Sequence, residues 1–310
     1  MKEQIKNFLA SIAYALYERG ILKNHIHVHT IDETIEALTN TNNSLIRFGE
    51  GEIIMIEGLA TATQSSNAEL GSRLREILRL PEDYTPQNSN MTDHTSSDND
   101  AKLLISVYDI FEGLDHVRPQ NRDFWRKHLL RSRKTYEANM DHNRTFYNTF
   151  LTRCYYSFAD KSKCKEWFEG IKNIWADKDI ILVEGEASHV GVGNDLLAKA
   201  NSVRRILCPS TDAYAYYNDI LSACLKEADN RNALFLLALG ATAKPLALDL
   251  FDNGYRVIDI GNVDLEYEWF LAGVTEKMDI PKHKILGREA NIQAGYEEYV
   301  EQIRILISYY

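Results

Sequence analysis

Four stretches of this chain put glycines directly after apolar runs, three of them together with carboxylates, a pairing of residue types suited to holding an ion at the end of a strand. The first, Arg47-Phe48-Gly49-Glu50-Gly51-Glu52, follows Ser44-Leu45-Ile46, which reads as a buried strand. Glu50 and Glu52 therefore flank a glycine at a strand's carboxyl end, where open α/β sheets bind ligands. Two carboxylates about 4 Å apart repel by roughly 4 kcal/mol at an effective dielectric near 20. Such a pair shares a proton or a cation, and a hard divalent metal is the economical partner. An isolated Glu-Gly-Glu is more often a solvated loop; the other stretches shift that balance.

The second stretch is Gly185-Glu186-Ala187-Ser188-His189-Val190-Gly191-Val192-Gly193-Asn194-Asp195, from which a helix is expected over Asn194 to Ala200. Glycines admit backbone N–H groups close to a ligand and a helix start offers unpaired donors, so phosphate is the natural guest. The third glycine of a dinucleotide fingerprint is missing, and a tight turn capped by Asn194 is the plainer alternative. Third comes Gly240-Ala241-Thr242-Ala243-Lys244-Pro245, with Pro245 in a first helical turn, Thr242 as a cap or anion donor, and Lys244 as a rare cation. The fourth, Asp259-Ile260-Gly261-Asn262-Val263-Asp264-Leu265-Glu266-Tyr267-Glu268-Trp269, carries four carboxylates, and its alternation with apolar residues implies partial burial. Buried carboxylates need partners, and Arg47, Lys244 and His189 look too few. A divalent metal held by Glu50, Glu52, Glu268 and the amide of Asn262 would balance them. A metal-bridged nucleoside diphosphate reconciles acidic side chains with phosphate-cradling glycines and points to phosphoryl or glycosyl transfer.

The surrounding elements must bring these stretches to one edge. Strands are expected over Ile26–His29, Leu45–Phe48, Leu103–Val107, Asp179–Glu184, Arg205–Cys208, Leu234–Leu239 and Tyr255–Ile260. Helices are expected after the capping box of Thr30 and Glu33, over Glu69–Leu80, Ala213–Lys226 and Thr242–Phe251, and through the aromatic-rich stretch from Phe124 to Trp175. That alternation signals right-handed βαβ crossovers in an α/β, Rossmann-like, mostly parallel sheet with helices on both faces, whose loops share one edge. Thr85 to Asp100 is polar enough to be a surface loop. Ile5, Phe8, Leu9, Ile12, Ala13 and Leu16 form one face of an amino-terminal helix, expected to dock on the body, with peripheral membrane contact as the alternative. The division expected is a helical extension over 1–40, the main domain over 41–285 and a helix over 286–310 that packs on it, with a homo-oligomer contact as a further role. Tyr155, Tyr156, Trp167 and Trp175 read as core rather than as a sugar-stacking surface.

Composition narrows the function. A formal net charge of -10 over 310 residues argues against a nucleic-acid partner. No run of 18 apolar residues suggests a transmembrane segment, and Cys154, Cys164, Cys208 and Cys224 lack any Cys-x-x-Cys pairing. A reducing, cytoplasmic location fits best.

With these segments in order, the chain resembles the bacterial glycosyltransferases of the GT-D fold, formerly domain of unknown function 1792. The resemblance rests on Ser44 to Glu52, on Val183 to Glu186 with Gly191 to Leu196, on Ala238 to Lys244 and on Ile258 to Trp269. It implies a metal-dependent transferase that moves a hexose, typically glucose, from a UDP-sugar to a glycan or glycoprotein acceptor. The family's metal site resembles an Asp-x-Glu motif joined by a His and a Glu; here Glu50 stands for the Asp, Glu52 matches, Asn262 stands for the His and Glu268 matches. An amide in place of imidazole favours Mg²⁺ or Mn²⁺. The donor contacts implied are Arg47, Gly49, Gly185, Glu186, Gly193, Asn194, Asp195, Gly240, Thr242, Lys244 and Asp259. Glu52 serves catalysis through the metal, and Asp264 or Glu266 is the expected general base. The competing readings are a nucleotide-binding oxidoreductase or methyltransferase, and a silent homologue that binds a sugar nucleotide or a partner without turnover.

Overall fold

The computed structural model describes residues 2–19, 21–22, 26–87, 101–228, 233–283 and 294–308. Most of the polar stretch Thr85–Asp100, and the first part of the expected carboxyl-terminal helix, lie outside the described residues. The strands are β1 (His27–Val28), β2 (Ser44–Arg47), β3 (Leu103–Val107), β4 (Thr145–Asn148), β5 (Asp179–Gly185), β6 (Ser202–Cys208), β7 (Leu234–Ala238), β8 (Arg256–Asp259) and β9 (Ile303–Leu306). They form one sheet in the order β1-β4-β3-β2-β8-β7-β5-β6-β9, and the neighbouring strands are parallel.

Every residue of β2 and β3 is buried, as are six consecutive residues of β5, so both faces of the sheet are covered. Continuous apolar runs rather than alternation are what such a doubly covered parallel sheet requires. The covering helices are α1 (Lys2–Glu18), α2 (Ile31–Thr39), α3 (Glu50–Ile56), α4 (Ala68–Leu78), α5 (Pro119–Asn139), α6 (Cys164–Ile174), α7 (Tyr217–Glu227), α8 (Ala243–Asp252), α9 (Val263–Leu271) and α10 (Tyr296–Gln302). They sort into two packed groups: α2 lies against α6, while α1, α5, α3, α4, α8 and α7 form a continuous chain of contacts. Chain direction matters for the site. From β2 the chain moves outward to β3, whereas from β8 it leaves through α9 and ends at β9 on the opposite edge. Connections therefore diverge between the adjacent strands β2 and β8, a topological switch point where such sheets leave a crevice.

Local chemistry sets several boundaries. Thr30 and Glu33 form the expected capping box at α2, with the Glu33 carboxylate accepting from Thr30 N–H at 2.8 Å. α4 ends two residues short of Pro81. Five expectations change. Residues 194–200 are turns, not a helix, because the Asn194 side chain caps only a local turn at Leu196 N–H, 3.0 Å away. The aromatic stretch contains a strand, β4. The acidic fourth stretch is helical from Val263, with Asp264 and Glu266 in a first turn where the helix dipole favours them. The carboxyl-terminal segment is helix only to Gln302 and then joins the sheet beside β6 as β9. Finally, α1 docks on α5 through Ala10, Tyr14 and Tyr17, while Ile5, Phe8, Leu9 and Ile12 face outward. The small Ala10 suits close approach, and Tyr14 Oη donates to Ile110 O at 3.3 Å.

Gly71 on α4 brings that helix against α3: a Cβ there would stand 2.9 Å from the Met55 carbonyl oxygen. Gly71→Ala gains about 1 kcal/mol of helix propensity but overpacks by about 1–3 kcal/mol, and a backbone atom cannot rotate aside. A net loss near 1 kcal/mol is expected by urea denaturation; a raised midpoint would show that α3 and α4 separate freely.

Candidate functional site

Phe48 and Gly49 carry the chain from β2 straight into α3, so the Glu-Gly-Glu stretch is not a loop but the helix's first turn. Glu52 is the third residue of that turn, and its Oε2 accepts the Gly49 N–H at 2.7 Å. This satisfies one of the donors a helix start leaves unpaired. Its other oxygen, Oε1, lies 3.1 Å from Lys244 Nζ. Lys244 comes from the first turn of α8, after a 3-10 turn over Gly240–Thr242, and its Nζ also reaches Asp259 Oδ2 at 3.1 Å and Gly240 O at 2.9 Å. Asp259 closes the network: Oδ2 accepts from Arg47 N–H at 3.3 Å, Oδ1 from Gly261 N–H at 3.1 Å, and Oδ1 lies 3.7 Å from Arg47 Nη1. Burial pushes the Glu52 carboxyl up, but the Lys244 ammonium, the Gly49 N–H and Arg47 together outweigh it and hold it below the ordinary range.

Gly261 has no alternative here. Its φ is +47°, and a Cβ would fall 1.8 Å from Arg47 Nη1, so the guanidinium occupies the space a side chain would need. Arg47 is itself 6 % exposed, and its Nε has no hydrogen-bond partner among the described residues.

Above this network opens a cleft of about 260 Å³, lined by Arg47, Gly49 to Glu52, Gly185, Gly240, Lys244, Gly261 and Asn262. The carboxyl ends of β2, β5, β7 and β8 thus converge as their shared direction requires. One wall has no counterpart among the sequence signals: the segment between α3 and α4, with Thr61, Thr63 and Gln64, contributes to the lining. Asp212 clasps that segment, accepting from Ser65 N–H at 2.6 Å and Gln64 Nε2 at 3.1 Å. Ser188 and Ser210 add hydroxyls, and Tyr108 and Arg153 add an aromatic and a cationic wall. Arg153 ends the 3-10 turn Thr149–Arg153 that follows β4, so missing that strand hid the residue. Its guanidinium has no hydrogen bond or ion pair among the described residues; Tyr108 holds it above its ordinary value against burial, with Glu50, Glu266 and Glu52 adding to the effect. Glu50 lines the cleft with no hydrogen bond or ion pair among the described residues.

The remaining candidates sit elsewhere. Asp264 is buried away from the cleft lining and accepts from Gly191 N–H at 2.8 Å, Asn194 Nδ2 at 2.9 Å, Lys282 Nζ at 3.0 Å and, on its other oxygen, His283 Nε2 at 2.7 Å. Burial raises its carboxyl, but His283 and Lys282 bring it below the ordinary range. A carboxylate so fully satisfied is a poor proton acceptor. Glu266 accepts the N–H groups of Tyr155 and Tyr156 at 3.1 and 2.7 Å and fastens α9 to the turn after β4; burial raises it, but it does not line the cleft. Neither residue expected as general base lines the cleft, and each is held by internal donors. Glu268 accepts from Asn194 Nδ2 and pairs with Lys282 Nζ, each at 2.6 Å. Asp195 pairs with Lys172 at 2.7 Å, and Tyr267 Oη donates to it. Gly193 is exposed beside Ala294, Glu186 lies outside the lining, and Thr242 is buried beside Gln64 rather than open to the cleft. His189, counted among the cations, is pushed down by burial and is neutral. Trp167, Trp175 and Tyr155 are core.

These placements bear on the metal. Among the described residues no three His, Cys, Asp or Glu side chains converge as a cage. Glu52 has one oxygen on a backbone N–H and the other on Lys244, and Glu268 is held by Asn194 and Lys282. Glu268 lies outside the cleft lining that Glu50, Glu52 and Asn262 share. The four expected ligands are thus not gathered around one point among the described residues.

A parallel α/β sheet with a glycine-lined crevice at its switch point defines a Rossmann-like ligand-binding protein. The family described as glycosyltransferase GT-D fold matches residues 45–287, and the chain belongs to it. The chain is similar to a solved structure described as the highly conserved domain of unknown function 1792 with a distinct glycosyltransferase fold: TM-score 0.82, 34 % identity, 95 % of this chain and 99 % of that one covered. A glycosyltransferase of the same domain type from Streptococcus sanguinis superposes with TM-score 0.81 at 33 % identity, over 91 % of this chain and all of that one. A probable glycosyl transferase Gly of Streptococcus gordonii is 36 % identical over 262 residues, 84 % of this chain but 35 % of that protein. The chain spans about a third of the length of the curated relatives it matches. Among the described residues no helix is long and apolar enough to cross a membrane, and all four cysteines are free and buried.

Lys244→Met should leave Glu52 and Asp259 buried without their cation, at a cost of about 3–5 kcal/mol. The pH dependence should change sign. In the native chain the Glu52 value is depressed, so its contribution is present above the unfolded value near 4.5 and lost as pH falls through the lower folded value. Without Lys244, burial is left as the dominant influence, and stability from this group should instead fall as pH rises above 4.5. Urea denaturation across the acid range checks both; an unchanged pH slope contradicts the network.

Proposed function

We propose that the cleft transfers a hexosyl group, with glucose the sugar expected, from a UDP-sugar to a hydroxyl of a glycan or glycoprotein acceptor. The observation that carries this reading is the convergence of the glycine-rich ends of β2, β5, β7 and β8 on one cleft whose walls hold Lys244, Arg153 and Glu50, a carboxylate without a hydrogen bond or ion pair among the described residues. Bare backbone at Gly185, Gly240 and Gly261, with hydroxyls from Thr61, Thr63, Ser188 and Ser210, suits close approach to phosphate oxygens. In the reaction the acceptor oxygen bonds to the anomeric carbon, and the bond from that carbon to the diphosphate breaks with its electron pair on the leaving oxygen. The acceptor proton goes to Glu50, the cleft carboxylate that is not already consumed by a donor or a cation. Glu52 holds Gly49 and Lys244 in place. It is a positioning residue.

Release of UDP from UDP-glucose in the presence of a glycan acceptor tests the assignment. Glu50→Gln should lower kcat by about 10²–10⁴, the usual yield of general base catalysis, while KM moves little. Equal turnover by Glu50→Gln removes Glu50 as the base, and failure of UDP to bind at all overturns the donor.

A further inference from the structure

The nucleotide-sugar reading, on which this inference rests, leaves a charge to be answered. A leaving diphosphate carries away an electron pair, and preorganised positive groups aimed at such developing charge commonly contribute more to rate enhancement than any other single effect. Two of the three carboxylates expected to hold a divalent ion are already engaged, Glu52 by Gly49 N–H and Lys244, Glu268 by Asn194 and Lys282. Of the two guanidinium groups lining the same cleft, Arg153 has no such partner among the described residues and Arg47 has one, Asp259. Arg153 has neither a carboxylate at ion-pair distance nor a hydrogen bond among the described residues. Arg47, 6 % exposed, keeps its Nε without a partner among the described residues and meets Asp259 only at 3.7 Å through Nη1. Both act electrostatically on the Tyr108 hydroxyl, which places them around one wall. A half-buried guanidinium without a carboxylate, as at Arg153, gains most from an anion that completes it. Arginine suits that anion, because it stays charged and its fork of N–H donors matches phosphate oxygens. The residue at 262 agrees. Asn262, exposed in the lining, carries an amide that can donate two N–H bonds to a phosphate, which an imidazole bound to a metal could not.

We infer that this chain binds the diphosphate of its donor with its own guanidinium groups, Arg153 foremost and Arg47 behind it, in place of a divalent ion held between Glu50, Glu52, Asn262 and Glu268. When the anomeric carbon–oxygen bond breaks, Arg153 donates hydrogen bonds to the diphosphate oxygen that receives the pair. No proton is transferred by arginine. The acceptor's proton still leaves to Glu50.

Titration calorimetry of the full chain with UDP, once in EDTA and once with Mn²⁺, separates the alternatives without relying on turnover. Native protein should bind UDP in EDTA with an affinity close to that in Mn²⁺. Arg153→Gln should weaken binding about 10- to 100-fold in both buffers, the size of a charge-assisted contact, and Arg153→Lys should recover part of it. Should Arg153→Gln fail to fold by urea denaturation, Arg153→Lys and the comparison of native protein in the two buffers still carry the test. UDP binding that appears only with Mn²⁺ overturns the inference and leaves the donor assignment standing, as does an Arg153→Gln affinity equal to native. UDP binding in neither buffer overturns the donor assignment itself.

Discussion

One buried ammonium fixes the geometry on which the cleft depends. Lys244 Nζ meets Glu52, Asp259 and the Gly240 carbonyl, and through them reaches the ends of β2, β7 and β8. An ammonium with so little exposure is tolerable only when its partners are close and well placed, so the network admits few arrangements. Asp259 extends the constraint by taking the Arg47 and Gly261 N–H groups. The strand ends are thereby held at fixed spacing before any ligand arrives. Such preorganisation means the cleft need not reorganise as charge develops.

The surplus of acid that seemed to demand a metal is resolved by donors distributed across the chain. Asp264 draws on Gly191, Asn194, Lys282 and His283, Glu266 on two backbone N–H groups, and Glu184 on Val190 N–H and Arg205. Only some of these are cations. A backbone N–H leaves no trace in composition, and Lys282 lies far along the chain from the loop it pins at Val192 O, 2.9 Å away. Counting nearby Lys and Arg therefore undercounts the groups able to satisfy a buried carboxylate.

The parts of the fold legible from sequence are those where one signal acts alone. β3 and β5 are continuous apolar runs, α2 carries a capping box, and α8 begins at a Gly-Ala-Thr turn with proline in its first turn. Competing signals hid the rest. Thr145 to Asn148 is short and embedded in aromatic residues that also suit a helix; it became β4 because β3 offers it an open edge. Ile303 to Leu306 continues the periodicity of α10 but pairs with β6. The acidic stretch after β8 reads as alternation, yet its first-turn acids favour a helix start, and α9 results. Of the site, the Gly49 to Glu52, Gly240-Ala241 and Gly261-Asn262 pieces were legible and do share the cleft, whereas Thr242 and Gly193-Asn194 do not line it. Arg153 and the Thr61–Gln64 segment were not, since each depends on an element or clasp that only tertiary packing creates.

Sorting the charged groups by whether folding has already consumed them gives a sharper guide to chemistry than their proximity does. Lys244 and Arg47 offset Glu52 and Asp259, and Asp264, Glu268 and Lys282 form a second set of internal partners. What remains facing the cleft is Arg153, the open side of Arg47 and Glu50. The whole chain carries a formal net charge of -10, which repels an incoming diphosphate at long range, although solution ions damp that field beyond about 8 Å at physiological salt. Attraction must therefore be local. On the proposed donor it comes from a guanidinium that no carboxylate among the described residues has claimed, which beside Glu50 would place in one cleft a hydrogen-bond donor to the leaving diphosphate and an acceptor for the attacking hydroxyl's proton.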